Sequence, residues 1–369
     1  MSNRNLTILG LLAAGMVVWA VVQSHISGKP YASTNVAAYL IQGLDPDQIV
    51  DINISSSDGD KVKLTRRGSK FFVADRDNYP ALATEINKLL KTCLDIQTNE
   101  FCTDNPANHK DLGATEEKAR IVVKFFKADS SLLTGVVIGK ARGQGSYVRR
   151  ASDNKVYLTT AQIPWIKKRP VDYVDLQLTN VKREDINSVT VSYPDETYVL
   201  RPSADNNALA LDNTPEGNTL NNVVAEKVFT ALANLKFDDV NTESSLANLK
   251  FDKRYICRLN DSTAYTFWLA KDGDKWFAKC DAQFADKTPV TKTEGEVESQ
   301  EQLQKKETKL LARAAADEFY QIHRGWIYQI ADYRAQNLVI PLADLLAAAV
   351  RAPDEPTGIN EPASQTPAE

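Results

Sequence analysis

Histidine is scarce in this sequence of 369 residues, which holds 3 of them. His25 lies beside an apolar run, leaving His109 and His323, with no HExxH and no histidine pair at ligand spacing. A histidine-based zinc site is therefore excluded. Cysteine is also sparse, and none of Cys93, Cys102, Cys257 and Cys280 forms a CxxC pair. An oxidising compartment would permit disulfides. Cys93 ends an expected helix and Cys102 lies a short loop away, so that pair is within bridging reach, and the sequence leaves open whether it bridges. Cys257 and Cys280 fall on the first and third strands of an expected meander, roughly 10 Å apart, and are expected as reduced core residues. No GxSxG elbow, SxxK, Walker loop or kinase signature occurs. The glycine-rich stretch Gly139 to Ser146 lacks the GK[ST] that leads a phosphate loop into a helix, so it is read as a hairpin loop. Adjacent acids such as Asp238-Asp239 and Glu116-Glu117 need not face one site and are read as solvated surface. No catalytic, cofactor-binding or metal-ligating residue is assigned. The net charge is -4, and the basic clusters, Arg149-Arg150 and Lys167-Lys168-Arg169, are short. A duplex-binding protein concentrates basic charge on one face, so no nucleic-acid partner is expected.

What is present begins with the apolar run. Leu6 to Val22 carries no charge over 17 residues, a helix of roughly 25 Å and the short end of a membrane span. Arg4 precedes it, Trp19 suits an interfacial position, and no acid occurs before Asp45. The positive-inside rule then keeps the N-terminus in the cytoplasm and sends the bulk of the chain across. Cleavage fits less well, because small-x-small sites after the run are poor. The expectation is a single-pass anchor in the inner membrane with a periplasmic or extracytoplasmic bulk.

Beyond a linker over 27–43 the pattern is α+β, and it occurs twice. In the first copy Val50 to Ile54 alternates as a half-buried strand, turns follow at Ser57–Asp60 and Gly68, and Leu82, Ile86, Leu89, Leu90 and Leu94 recur at helical spacing. In the second, Asn187 to Val191 and Thr197 to Arg201 match the first strands, and Val223, Val224, Val228, Leu232 and Leu235 match the helix. Short strands close each copy: Ile121–Phe126, Gly135–Gly139, Ser146–Arg150 and Lys155–Leu158, against Tyr255–Leu259, Tyr265–Leu269, Lys275–Lys279 and Trp326–Ile330. A short helix is expected after each set, near Ala161–Lys168 and Asp332–Asn337. The reading is two tandem diverged repeats of antiparallel sheet plus packed helices. They cover 44–175 and 176–345, the second interrupted by a helical insertion at about 290–319. There Val297, Leu303, Leu310 and Leu311 give only a weak apolar stripe, so the default is a solvated helical arm packed by its Ala-rich end, with a partner-binding helix as the sharper reading. Residues 1–26 form the cytoplasmic stub and anchor. Leu338 to Val350 reads as a last helix broken at Pro341, and the acidic, Pro-rich end of 346–369 as disordered. Among the aromatics Tyr265, Phe267, Trp268, Trp276 and Phe277, core is the default, but Trp268 beside Phe267 sends one of the two to the opposite face.

The order IxxIxI, basic strand, aromatic strand, Tyr79-Pro80, amphipathic helix, Asp111-Leu-Gly113, Val-Val-Ile-Gly139, Tyr147-Val-Arg149 and Val156-Tyr157 resembles the domain of unknown function 4340 family. The likeness covers about 44–175 and is looser in the second copy, where Asn248-Leu249 and Leu269-Ala270 replace two of the motifs. Members of that family look like anchored envelope proteins encoded beside ABC-type transporter subunits of the gliding-motility kind. The resemblance thus implies a non-enzymatic extracytoplasmic accessory, scaffold or binding subunit of an envelope complex, and supplies no catalytic residues. Two alternatives stand: a hydrolase acting on envelope glycan or lipid with carboxylates assembled between the repeats, and a small-ligand module at their junction.

Overall fold

A computed structural model describes residues 38–203, 208–290 and 299–348. The expected anchor over Leu6–Val22 and the tail from Ala352 lie outside them. Among the described residues, no helix is long and apolar enough to cross a membrane. The chain divides into two compact units, Met1–Tyr173 and Val174–Glu369.

The first unit is built on β1 (Asp51–Ser55), β2 (Lys61–Arg67), β3 (Lys70–Val73), helix α1 (Ala83–Leu94), β4 (Gln97–Thr103), β5 (Ile121–Phe126), β6 (Leu132–Arg142), β7 (Gly145–Arg150) and β8 (Val156–Thr159). Alternation fixes the faces: Ile52, Ile54, Val62 and Leu64 are buried while Asp51, Asn53, Lys61 and Lys63 point the other way. The helix buries Ile86, Leu89, Leu90 and Cys93, a stripe at 3.6-residue spacing, and stops at Asp95. The strands pair as one antiparallel sheet in the order β3-β2-β1-β5-β6-β7-β8-β4, with Tyr79–Pro80 and Ala38–Tyr39 on the two edges.

The second unit contains β9 (Ile186–Ser192), β10 (Thr197–Pro202), β11 (Leu209–Leu211), α2 (Asn222–Phe229), β12 (Asp239–Thr242), β13 (Lys253–Leu259), β14 (Thr263–Asp272), β15 (Lys275–Phe284), α3 (Gln300–His323), β16 (Trp326–Ile330) and α4 (Asp332–Leu338). Its main sheet runs β11-β10-β9-β13-β14-β15-β16-β12. Adding eight to each strand number of the first sheet's order reproduces this one, and each unit has its helix between its third and fourth strands.

Several local expectations are corrected. The span read as a linker, 27–43, already belongs to the fold at its end. Ala38–Tyr39 pairs with β4, and Leu40 and Ile41 are buried. Residues 161–168 form no helix, because Pro164 interrupts them, and a 3-10 turn at Pro170–Tyr173 follows instead. Helix α2 stops at Phe229, so Leu232 and Leu235 are buried beyond its end and Val223 is exposed. The insertion helix starts at Gln300 and continues past 319 to His323. It packs by its Ala-rich end as expected, Ala312, Ala316 and His323 being the buried positions, while Leu303, Leu310 and Leu311 of the weak stripe are exposed. Residues 339–348 do not continue α4 as one helix, and 349–350 lie outside the described residues. Pro341 opens a single turn, Leu342–Leu345, and Leu346–Ala348 then pairs as a strand with Asn218–Leu220. The cysteines are free thiols, Cys93 buried and Cys102 half-buried on β4, so the open Cys93–Cys102 bridge is not formed.

Candidate ligand-binding face

The sequence motifs of the first unit turn out to hold a loop. After β4 the chain makes a short helical turn, His109–Leu112, and closes it with Gly113 at φ +66°. A Cβ on Gly139 of β6 would stand 2.5 Å from the Leu112 carbonyl oxygen, so only glycine lets strand and loop approach. Arg149 Nε donates to the Ala114 carbonyl at 2.7 Å, and its Nη1 donates to the carbonyls of Arg150 and Asp153, both at 3.1 Å. Burial lowers the pKa of that guanidinium, which stays charged because arginine does not deprotonate in proteins. Arg120 adds a bond from Nε to the Gly139 carbonyl at 2.8 Å, and His109 Nε2 meets the Asn154 carbonyl at 2.9 Å. The Gly139–Ser146 stretch itself is a tight hairpin in which Arg142 pairs with Gly145.

That loop covers one row of the sheet. Reading straight across the strands on the face away from the α1 core, the row is Ser55, Val122, Val137 and Arg149. Val122 and Val137 are buried with Ala119 of the loop and Ala151.

The corresponding row of the second sheet has different chemistry. It reads Ser192, Arg254, Trp268 and Lys279. Arg254 is exposed and Trp268 half-buried, whereas Phe267 beside it is fully buried in the core. Lys279 is ion-paired with Glu243, and its Nζ stands 4.6 Å from the Phe251 ring centre. The shorter segment 243–252 therefore reaches the Lys279 end of the row. Two residues further along β13 on the same face is Ile256, then the exposed Arg258. Neither the Arg254 nor the Arg258 guanidinium makes an ion pair or hydrogen bond among the described residues. The next row, Thr190, Ile256, Thr266 and Asp281, ends on a carboxylate. Gln283 Nε2 donates to Asp281 Oδ2 at 2.9 Å, while Oδ1 is buried without a partner among the described residues.

His323 packs 4.2 Å from Phe319, and its Nδ1 lies 2.6 Å from the Tyr328 hydroxyl. Burial pushes its pKa down to about 4. Burial drives the Cys93 and Cys257 thiols up to about 12 and Cys280 well above its usual value, so they are unreactive packing groups. The carboxylates that do shift, Asp129 and Asp286, are held low, by a hydrogen bond from Ser131 and by Lys309 respectively. A general acid requires the opposite shift. Among the described residues no group of three His, Cys, Asp or Glu is placed to hold a metal.

Sequence reading did not single out Arg254 and Arg258. The signal was the alternation in Lys253–Leu259, where Tyr255 and Cys257 take the core face and Arg254, Ile256 and Arg258 the other.

In comparison with known proteins, a family model described as Domain of unknown function (DUF4340) matches residues 72–254. It begins later than the resemblance read from the motifs and reaches β13 of the second unit. No curated protein and no solved structure matches.

Proposed function

We propose that this chain, which belongs to the domain of unknown function 4340 family through residues 72–254, is a non-enzymatic binding or scaffold subunit of an envelope complex. It is held by its N-terminal apolar run with the bulk outside the cytoplasm, and the family resemblance points to an ABC-type transporter as the assembly it serves. The observation that carries the binding role is the face with Arg254, Arg258 and Trp268. Two guanidiniums without partners among the described residues and a half-buried indole present recognition chemistry on a rigid sheet. The two units are diverged copies of one module, a reading supported by the shared strand order and helix position.

The test is affinity purification of the tagged full-length chain from detergent-solubilised membranes. Transporter subunits are expected to co-purify in stoichiometric amounts. Recovery of the chain alone, under conditions that keep known membrane complexes together, would sink the scaffold reading.

A further inference from the structure

We propose that the face of the second unit's sheet away from its core, left open at β13 among the described residues, is a docking track for an extended acidic segment of a partner protein, read by Arg254 and Arg258 with Trp268 beside them. This rests on the binding-subunit reading above and specifies the chemistry of what is bound.

Three observations carry it. The first is spacing. Arg254 and Arg258 are four residues apart on one straight strand, so their Cα atoms lie roughly 13 Å apart on one face. An extended peptide has the same repeat, and acids at its positions i and i+4 reach both guanidiniums in register. Each planar fork is free to take a carboxylate through two parallel hydrogen bonds.

The second is charge bookkeeping on the face. Lys279 is already met by Glu243, and Asp281 stands two strands away from β13, roughly 10 Å off. The positive charge left over is thus concentrated on β13. Thr190 and Ser192 of β9 and Thr266 of β14 flank it with hydroxyls, while Ile256 and Trp268 give the apolar contact that orders a docked chain.

The third is the contrast between the two rows. In the first sheet the row centres on Val122 and Val137, buried by the chain's own segment around Ala119. In the second, the two middle positions hold Arg254 and Trp268. Covering an arginine with an apolar loop would leave a desolvated charge, which costs far more than covering valine. The second row therefore suits an occupant that brings its own negative charge.

The experiment uses the full-length chain in detergent micelles and fluorescence anisotropy of a labelled ten-residue peptide alternating glutamate and threonine. The expected result is binding at low salt that weakens as sodium chloride rises. It should fall roughly tenfold or more in Arg254→Glu/Arg258→Glu, be partly kept in Arg254→Lys/Arg258→Lys, and fall by a smaller factor in Trp268→Ala. Both arginines are exposed, so thermal unfolding followed by circular dichroism should match wild type. Equal peptide affinity in the wild type and the Glu double variant overturns the proposal. So does equal affinity for a peptide of the same composition in which no two glutamates stand four residues apart, such as EEEETTTTET. Tighter, arginine-dependent binding of hexagalacturonate or of phosphatidylglycerol vesicles also overturns it, by assigning the face to glycan or lipid. Peptide binding without co-purified membrane proteins would leave this inference standing while the scaffold reading fails. Co-purification unaffected by the Glu double variant would do the reverse.

Discussion

Arg149 shows how a motif residue that looks functional acts as a structural clamp. Its guanidinium is buried and supplies hydrogen bonds to three carbonyls, Ala114, Arg150 and Asp153. Replacing it with methionine keeps bulk but leaves those acceptors unpaired, and should lower stability by about 3 kcal/mol. Urea unfolding of Arg149→Met checks this, and a change below ~1 kcal/mol would mean that the loop does not depend on the clamp. His323 is the residue whose titration is built into the fold. Its pKa is about 4 when buried against an ordinary 6.5, with desolvation opposed by the nearby Asp175 carboxylate. At pH 7 it is neutral in both the folded and unfolded states. As pH falls through 6.5 the unfolded chain takes up a proton that the folded ring refuses until about 4. Stability attributable to this group is thus full above 6.5, falls between 6.5 and 4 by up to roughly 3 kcal/mol, and levels off below. Comparing the urea midpoints of wild type and His323→Gln at pH 7 and pH 4.5 tests it. The wild type should lose more stability than the variant between the two pH values, and parallel losses would contradict the assignment.

Among the elements, α3 shows a helix that packs by its Ala-rich end, as the sequence led one to expect, and leaves its weak leucine stripe in solvent. Its leucines at 303, 310 and 311 are exposed, while Ala312, Ala316, Phe319 and His323 share the inner face. Phe319 packs edge-on to Tyr265 of β14 at 5.1 Å. Small residues let the helix lie close to the sheet, so size, more than hydrophobicity, selects the contact side. Ala316 is fully buried, and Ala316→Leu should destabilise by about 1–3 kcal/mol through overpacking. Leu311→Ala, at an exposed site, should stay within about 0.5 kcal/mol. Thermal unfolding of the two variants decides between these sides, and the reverse ranking would place the helix the other way round. The N-terminus of the helix is set by Ser299 and Gln302, a reciprocal capping box that the expected start at about 290 did not use. Strands β4 and β12 were not legible, because QTNEFCT and DVNT lack apolar alternation and owe their extended form to edge pairing.

For the whole molecule, the strongest sequence signal lies in the charge-free run Leu6–Val22, beyond the described residues. Protease added to intact spheroplasts should degrade the bulk of the chain, and deleting residues 1–26 should move the protein to the soluble fraction. A full-length product found soluble without detergent would remove the anchor and, with it, the envelope setting.

Composition and periodicity determined by themselves the α+β class, most inner strands and the core face of α1. These follow from burial of alternate or helically spaced side chains, a local property of the chain. Tertiary structure alone decided that the Gly139 motif admits a loop, that Arg149 is spent on carbonyls, and that Arg254 and Arg258 face outward without partners among the described residues. Such roles depend on which strand lies alongside and what covers the face, and cross-strand neighbours such as Arg254, Trp268 and Lys279 are more than ten residues apart along the chain.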